Sequence, residues 1–208
     1  MLLLVTGASG VGKSTVLARV GSVDFGMPVT CVEFDSIGVP DGADTAWRHG
    51  AIERWVRTAV DAQARGEHTM LFGQAPPGEL LAAPSVPELD GVAILVLASS
   101  PDVQRERLLN RGEPADSLVH HLRFGEWFRR HSADPAYAPE VIRVDTAVSM
   151  QWSRWEMLTA ADVAAGDPHW PVTILDTDAL SAEDVADVVE AWAREQLTES
   201  GPELNATH

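Results

Sequence analysis

The chain has 208 residues, 45% of them hydrophobic and 22% charged, with a formal net charge of −16 at pH 7. That length suits one domain around a single core, and the acidity excludes a duplex nucleic-acid binder, which needs a basic footprint. The one cysteine, Cys31, excludes an internal disulfide or a cysteine-built metal cluster. No apolar run reaches the roughly eighteen residues of a membrane span. The apolar start MLLLV has no basic n-region and no small-residue cleavage site, so the expected setting is the cytoplasm, with no membrane partner.

Residues 2–6 are unbroken apolar sequence and read as a buried strand. A glycine-rich loop follows, then a helix over 13–21. VTCVEF (29–34) is a second strand that runs into Asp35. A loop at 39–44 ends on Asp44, a helix N-cap, and a helix over 45–65 carries Trp47, Ile52, Trp55, Val56 and Val60 along one stripe. TMLFG (69–73) is a third strand, and QAPPGE after it reads as a turn forced by proline and glycine. GVAILVLA (91–98) is a fourth strand, apolar throughout as strands covered on both faces are. SSPDVQRERLLNRG reads as a helix with Ser100 as cap, Pro101 in the first turn and Gly112 as stop. A mainly helical stretch rich in arginine and tryptophan covers about 114–165. VTILDT (172–177) is the fifth strand, and a last helix opens with Ser181 and Asp184 at capping-box spacing. Residues 198–208 read as a disordered tail. Five apolar strands alternating with helices predict an α/β fold, a three-layer sandwich around a parallel five-stranded sheet with right-handed crossovers.

GASGVGKS (7–14) fits G-x-x-x-x-G-K-[ST], with the strand before and the helix after that this motif requires. Glycines let successive N–H groups converge on an anion, and the helix adds its positive end. The expected phosphate cradle is therefore Gly7, Ala8, Ser9, Gly10, Val11, Gly12, Lys13, Ser14 and Thr15. Lys13 is the only lysine, the other fourteen basic residues all being arginine. It would reach the β- and γ-phosphates of a nucleoside triphosphate, with Ser14 a Mg²⁺ ligand. A guanine-reading N-K-x-D motif needs a second lysine and is excluded. Residues 105–130 hold six arginines against four acids in an otherwise acidic chain, which suits a small anionic ligand.

The chain resembles the adenylate-kinase-like branch of P-loop phosphotransferases, with its adenylate, shikimate, gluconate, adenylylsulfate and chloramphenicol kinases. The likeness is carried by the loop at Gly7–Thr15, by Asp35 in VEFDSIGVP, by SSPDVQRERLLNRG and by ILDTDALSAEDV. It implies a nucleoside-kinase-like P-loop domain over 1–197 with a helical lid or acceptor-binding insert at about 111–168. It implies ATP and Mg²⁺ as cofactors and transfer of the γ-phosphate to a hydroxyl of a small acceptor such as a nucleoside, a sugar or a natural product. A monomer or homodimer is expected. Asp35 would take the acceptor's proton or hold Mg²⁺. Arg111 would cover adenine or touch phosphate, and Arg107 is a further candidate for the γ-phosphate. Asp176 and Thr177 would lie beside the adenine.

Trp47, Arg54, Gln74, Arg123 and Trp127 are candidates for acceptor binding, since aromatics beside arginines grip flat or cyclic molecules. Gln74 stands at the end of the third strand, where many P-loop enzymes keep a metal-binding acid. It can orient a water or an acceptor but cannot neutralise a metal. The alternative reading is a nucleotide-binding ATPase or regulator that works through a protein partner.

Overall fold

The computed structural model describes residues 1–154 and 169–198. The tail beyond residue 198 and the 155–168 part of the predicted insert lie outside the described residues.

Five strands, β1 (Leu2–Thr6), β2 (Val29–Glu33), β3 (His68–Gly73), β4 (Val92–Ala98) and β5 (Val172–Asp176), form one sheet in the order β2-β3-β1-β4-β5. All four pairings are parallel. β1 lies at the centre, with Leu2 level with Thr69 of β3 on one side and Val92 of β4 on the other. The helices among the described residues are α1 (Lys13–Val20), α2 (Thr45–Gln63), α3 (Pro77–Ala82), α4 (Pro101–Asn110), α5 (Leu118–Ala133) and α6 (Ala182–Thr198). None is long and apolar enough to cross a membrane.

Strand side chains point alternately to the two faces, and this divides the core. Leu2 and Leu4, with Leu71, Ile94 and Val96, pack against Ile52 and Val56 of α2, Leu80 of α3 and Phe128 of α5. Leu3 and Val5, with Met70, Phe72, Leu95 and Leu97, pack against Val16 of α1 and Val185, Val189 and Trp192 of α6. The result is the predicted three-layer α/β sandwich. β1 and β4 are buried throughout and β3 is buried but for its first residue, His68, while β2 and β5 are partly exposed because each has a neighbour on one edge only.

The predicted caps form. Asp44 accepts from the Trp47 N–H at 2.9 Å, and the Ser100 hydroxyl accepts from the Val103 N–H. Ser181 and Asp184 close a reciprocal box, the Asp184 N–H donating to Ser181 Oγ and the Ser181 N–H to Asp184 Oδ2, both at 3.1 Å. Two regions differ from expectation. The predicted turn after β3 contains α3, because Pro76 is extended and Pro77 occupies the first helical position, where no N–H donor is needed. The predicted insert is less separate than a lid. Its α5 buries Trp127 and Phe128 in the sheet's own core, with Trp127 stacked on His131 at 4.7 Å and its Nε1–H donating to the Ala138 carbonyl.

Candidate functional site

In an open parallel sheet, ligands bind beyond the carboxyl ends of the strands, where connections leave in opposite directions. Here that point follows β1, between β3 and β4, and the glycine loop sits on it. Gly7, Gly10 and Gly12 have φ of 146°, 87° and 102°, a region that side-chain-bearing residues rarely adopt. A Cβ on Gly7 would also collide with the Leu97 carbonyl of β4. The loop curls closely enough for the Lys13 ammonium to donate to the Gly7 and Ala8 carbonyls, each at 2.8 Å. Burial lowers the Lys13 pKa to about 8. Arg111 pushes the same way, and Asp35 and Glu33 oppose it. The ammonium therefore feels one cation, Arg111, and two carboxylates, Asp35 and Glu33.

Long-range bonds hold the loop from both flanks. The Ser9 hydroxyl donates to Gln74 Oε1 at 3.2 Å, just past the end of β3. Gln104 of α4, almost fully buried, donates from Nε2 to the Ser9 carbonyl at 2.8 Å and to the His121 carbonyl of α5 at 3.4 Å. Gly125 of α5 lies against that carboxamide so closely that a Cβ there would clash with it. Gln104 thus couples the phosphate loop to the helix packed over it.

A cavity of about 650 Å³ runs along this edge of the sheet. Ser9 to Val16 line its middle. On the β4–β5 side are Arg107, Arg111, Thr177, Leu180, Ala182 and Val185, and on the β2–β3 side are Glu33, Asp35, Phe72, Gly73 and Gln74. Arg107 is committed to structure, donating to the Thr177 hydroxyl at 2.8 Å and carbonyl at 2.7 Å. Arg111 is more than half exposed, with Glu113 Oε2 3.5 Å from its Nη2. Asp35 lies in a short 3-10 turn after β2, and its pKa is raised by burial and by Glu33, with Lys13 opposing.

Glu33 was not among the residues expected here. It ends β2, and its Oε1 accepts from the Ser14 hydroxyl at 3.0 Å. The sequence signal was the pair of acids in VEFD, of which only the second was chosen. Gln104 had no local signal, since its partner Ser9 is 95 positions away. Among the described residues no group of three or more His, Cys, Asp or Glu side chains is placed to hold a metal. Ser14 and Glu33 nonetheless present a hydroxyl and a carboxylate at one point, a donor pair that suits Mg²⁺ when phosphate and water oxygens complete its shell.

Of the expected nucleotide-side residues, Ser9 to Thr15, Arg107, Arg111 and Thr177 line the cavity. Gly7 and Ala8 contribute the carbonyls that hold Lys13. Asp176 is off the wall, its carboxylate accepting from the Asp178 N–H in a local turn. On the acceptor side Asp35 and Gln74 are present. The structure does not bring the other four acceptor candidates to the cavity. Trp47 packs edge-on against Phe34 at 6.0 Å, Trp127 belongs to the core, and Arg54 and Arg123 are exposed. These aromatics fill helix–sheet contacts, the commonest use of a tryptophan on an amphipathic helix.

No protein-family model matches the chain, and no curated protein sequence matches it. A solved structure named APE1195 superposes over 94% of this chain and 95% of its own, with a TM-score of 0.55 at 14% identity. A sugar kinase from Janibacter sp. HTCC2649 superposes over 100% of this chain and 98% of its own, with a TM-score of 0.48 at 14% identity. An uncharacterized protein from Eubacterium ventriosum ATCC 27560 covers 94% and 98%, with a TM-score of 0.47 at 8% identity. The likeness to APE1195, carried by a near-complete superposition at low identity, is one of fold.

Proposed function

We propose that the protein is an ATP- and Mg²⁺-dependent phosphotransferase that moves the γ-phosphoryl group to a hydroxyl of a small molecule. One observation carries this reading: the glycine loop with Lys13 lines a cavity of about 650 Å³ whose wall also draws residues from both flanks of the sheet, Arg107, Thr177 and Val185 on one and Glu33, Asp35 and Gln74 on the other. The β4–β5 side offers Leu180, Ala182 and Val185 as an apolar seat for a nucleoside. The β2–β3 side offers Asp35 and Gln74 as groups that could meet an acceptor hydroxyl.

Phosphoryl transfer has a loose transition state, so positioning and charge neutralisation dominate. Lys13 and the loop N–H groups hold the phosphates in line with the β2–β3 side. Ser14 and Glu33 would hold Mg²⁺, which shields the phosphate oxygens from the incoming hydroxyl. The acceptor oxygen forms a bond to the γ-phosphorus while the bond to the β–γ bridging oxygen breaks and ADP leaves. The hydroxyl proton passes to Asp35, whose raised pKa brings it nearer the range of an effective base.

The test is ADP release from Mg·ATP, measured alone and with pooled hydroxyl compounds. One pool should raise turnover well above a low background. Asp35→Asn should lose that stimulation by about 10²–10⁴-fold, while Mg·ATP still raises its melting temperature. Substantial release with water alone, unchanged by every pool, would refute the transferase reading in favour of an ATPase acting on a protein partner.

A further inference from the structure

We infer that the acceptor carries no anionic group: it is a neutral or amine-bearing hydroxyl compound, and not a phosphorylated or carboxylated one. This rests on the phosphotransferase reading above and narrows its substrate class.

The cavity is polarised. Among the described residues its basic wall residues are Lys13, at the centre, and Arg107 and Arg111, both from the α4 end on the β4–β5 side. The acceptor compartment on the β2–β3 side has Glu33 and Asp35 instead, with Gln74 as its amide. A carboxylate or phosphate seated there would face Asp35 with no cation of its own. Lys13, and the Mg²⁺ that Ser14 and Glu33 would hold, would already be engaged by the donor's phosphates. Proteins that recognise an anionic substrate group meet it with a paired cation, usually the fork of an arginine.

The inventory of cations covers the whole chain. All fifteen lysines and arginines fall within residues 1–154 and 169–198, and residues 155–168 carry Glu156, Asp162 and Asp167 but no lysine or arginine. No undescribed arginine can therefore complete the compartment. Arg48 of α2 does not line the cavity, and its Nε and Nη2 both bind Glu79, at 2.6 and 2.5 Å. Glu79 is fully buried, so releasing Arg48 to a substrate would leave that carboxylate in the core with only the His49 Nε2, 3.3 Å away, beside it. Arg57 is paired with Glu53 and Arg129 with Glu126. Arg54 and Arg123 are exposed off the cavity wall.

The experiment compares matched acceptors that keep every hydroxyl and differ in one anionic group: gluconamide with gluconate, methyl glycerate with glycerate, serinamide with serine. ADP release and phosphoproduct mass are followed with the full chain and Mg·ATP. In whichever set is turned over, the neutral or amine-bearing member should exceed its anionic counterpart by at least about a hundredfold in kcat/KM, since the anion would meet Asp35 with no paired cation of its own. An anionic member that matches or exceeds its neutral partner would overturn the inference and leave the transferase reading intact. Nucleotide-induced stabilisation with no phosphorylated product from any compound would overturn the transferase reading, and this inference with it.

Discussion

Binding of a triphosphate should draw a proton into the loop, with Lys13 as the group that takes it. Without ligand the ammonium is desolvated among its own loop carbonyls, with a pKa of about 8 against an ordinary 10.5. That difference corresponds to about 3 kcal/mol against the charged form. Phosphate oxygens supply the missing counter-charge and should return Lys13 to its usual range. Uptake should then be about three-quarters of a proton per nucleotide at pH 8.5, and about a tenth at pH 7. Calorimetric titration with Mg·ATP in two buffers of different ionisation enthalpy reads this directly. At pH 8.5 the γ-phosphate is already ionised and contributes little. The sign for stability is the opposite of that for affinity. Between about pH 8 and 10.5 the unliganded fold binds fewer protons than the unfolded chain, so its own stability should rise across that window. Nucleotide affinity should fall there by up to about tenfold per pH unit. Equal binding enthalpies in both buffers at pH 8.5 would refute the assignment of Lys13 as a desolvated phosphate ligand. So would uptake that persists in Lys13→Met.

Glu33→Gln should raise the Mg²⁺ concentration needed for half-maximal turnover by about tenfold to a hundredfold, the usual cost of a lost metal-orienting partner. Metal titrations of ADP release would show this, and an unchanged Mg²⁺ dependence would take Glu33 out of the metal site. Glu79→Gln should cost about 3 kcal/mol of stability, because it strips the counter-charge from a largely buried Arg48. Urea unfolding measures this, and a loss below about 1 kcal/mol would mean that the pair is solvated in the folded protein.

Most of the fold was legible because its signals are local. Buried strands announce themselves as apolar runs, and Asp44, Ser100 and Ser181 mark helix starts by their own side chains. The curled glycine loop was legible for the same reason, since its positive-φ glycines and the Lys13 contacts all fall within residues 7–13. What escaped depends on contacts across the sheet. Gln104 bonds to a carbonyl 95 positions earlier, and nothing around it in an arginine-rich helix sets it apart. Trp47 and Trp127 were plausible substrate platforms by composition, but whether an indole faces a cavity or a neighbouring helix depends on how the layers close. α3 was missed because two consecutive prolines look like a break, although the second is a favoured first residue of a helix.

The exchange of roles between strand ends accounts for the acceptor compartment's charge. β3 ends next to β1, and a carboxylate at its tip would lie close to the loop. That position holds Gln74 instead, whose amide oxygen accepts from Ser9 and so helps fix the loop itself. The acids stand one strand further out, at the end of β2 and in the 3-10 turn that follows it. Glu33 reaches back to Ser14, and Asp35 lines the same cavity. That placement leaves Glu33 in reach of Ser14, where the proposed Mg²⁺ would sit, and gives the proposed acceptor side a carboxylate, Asp35, in place of an arginine. A fold that accepts a phosphorylated or carboxylated partner at this spot would need to reverse that charge. Arg48 of α2, off the cavity wall, is held by Glu79 of α3, a carboxylate with no exposure to solvent, so the selectivity argued for the acceptor would rest on Asp35 standing there without an arginine beside it.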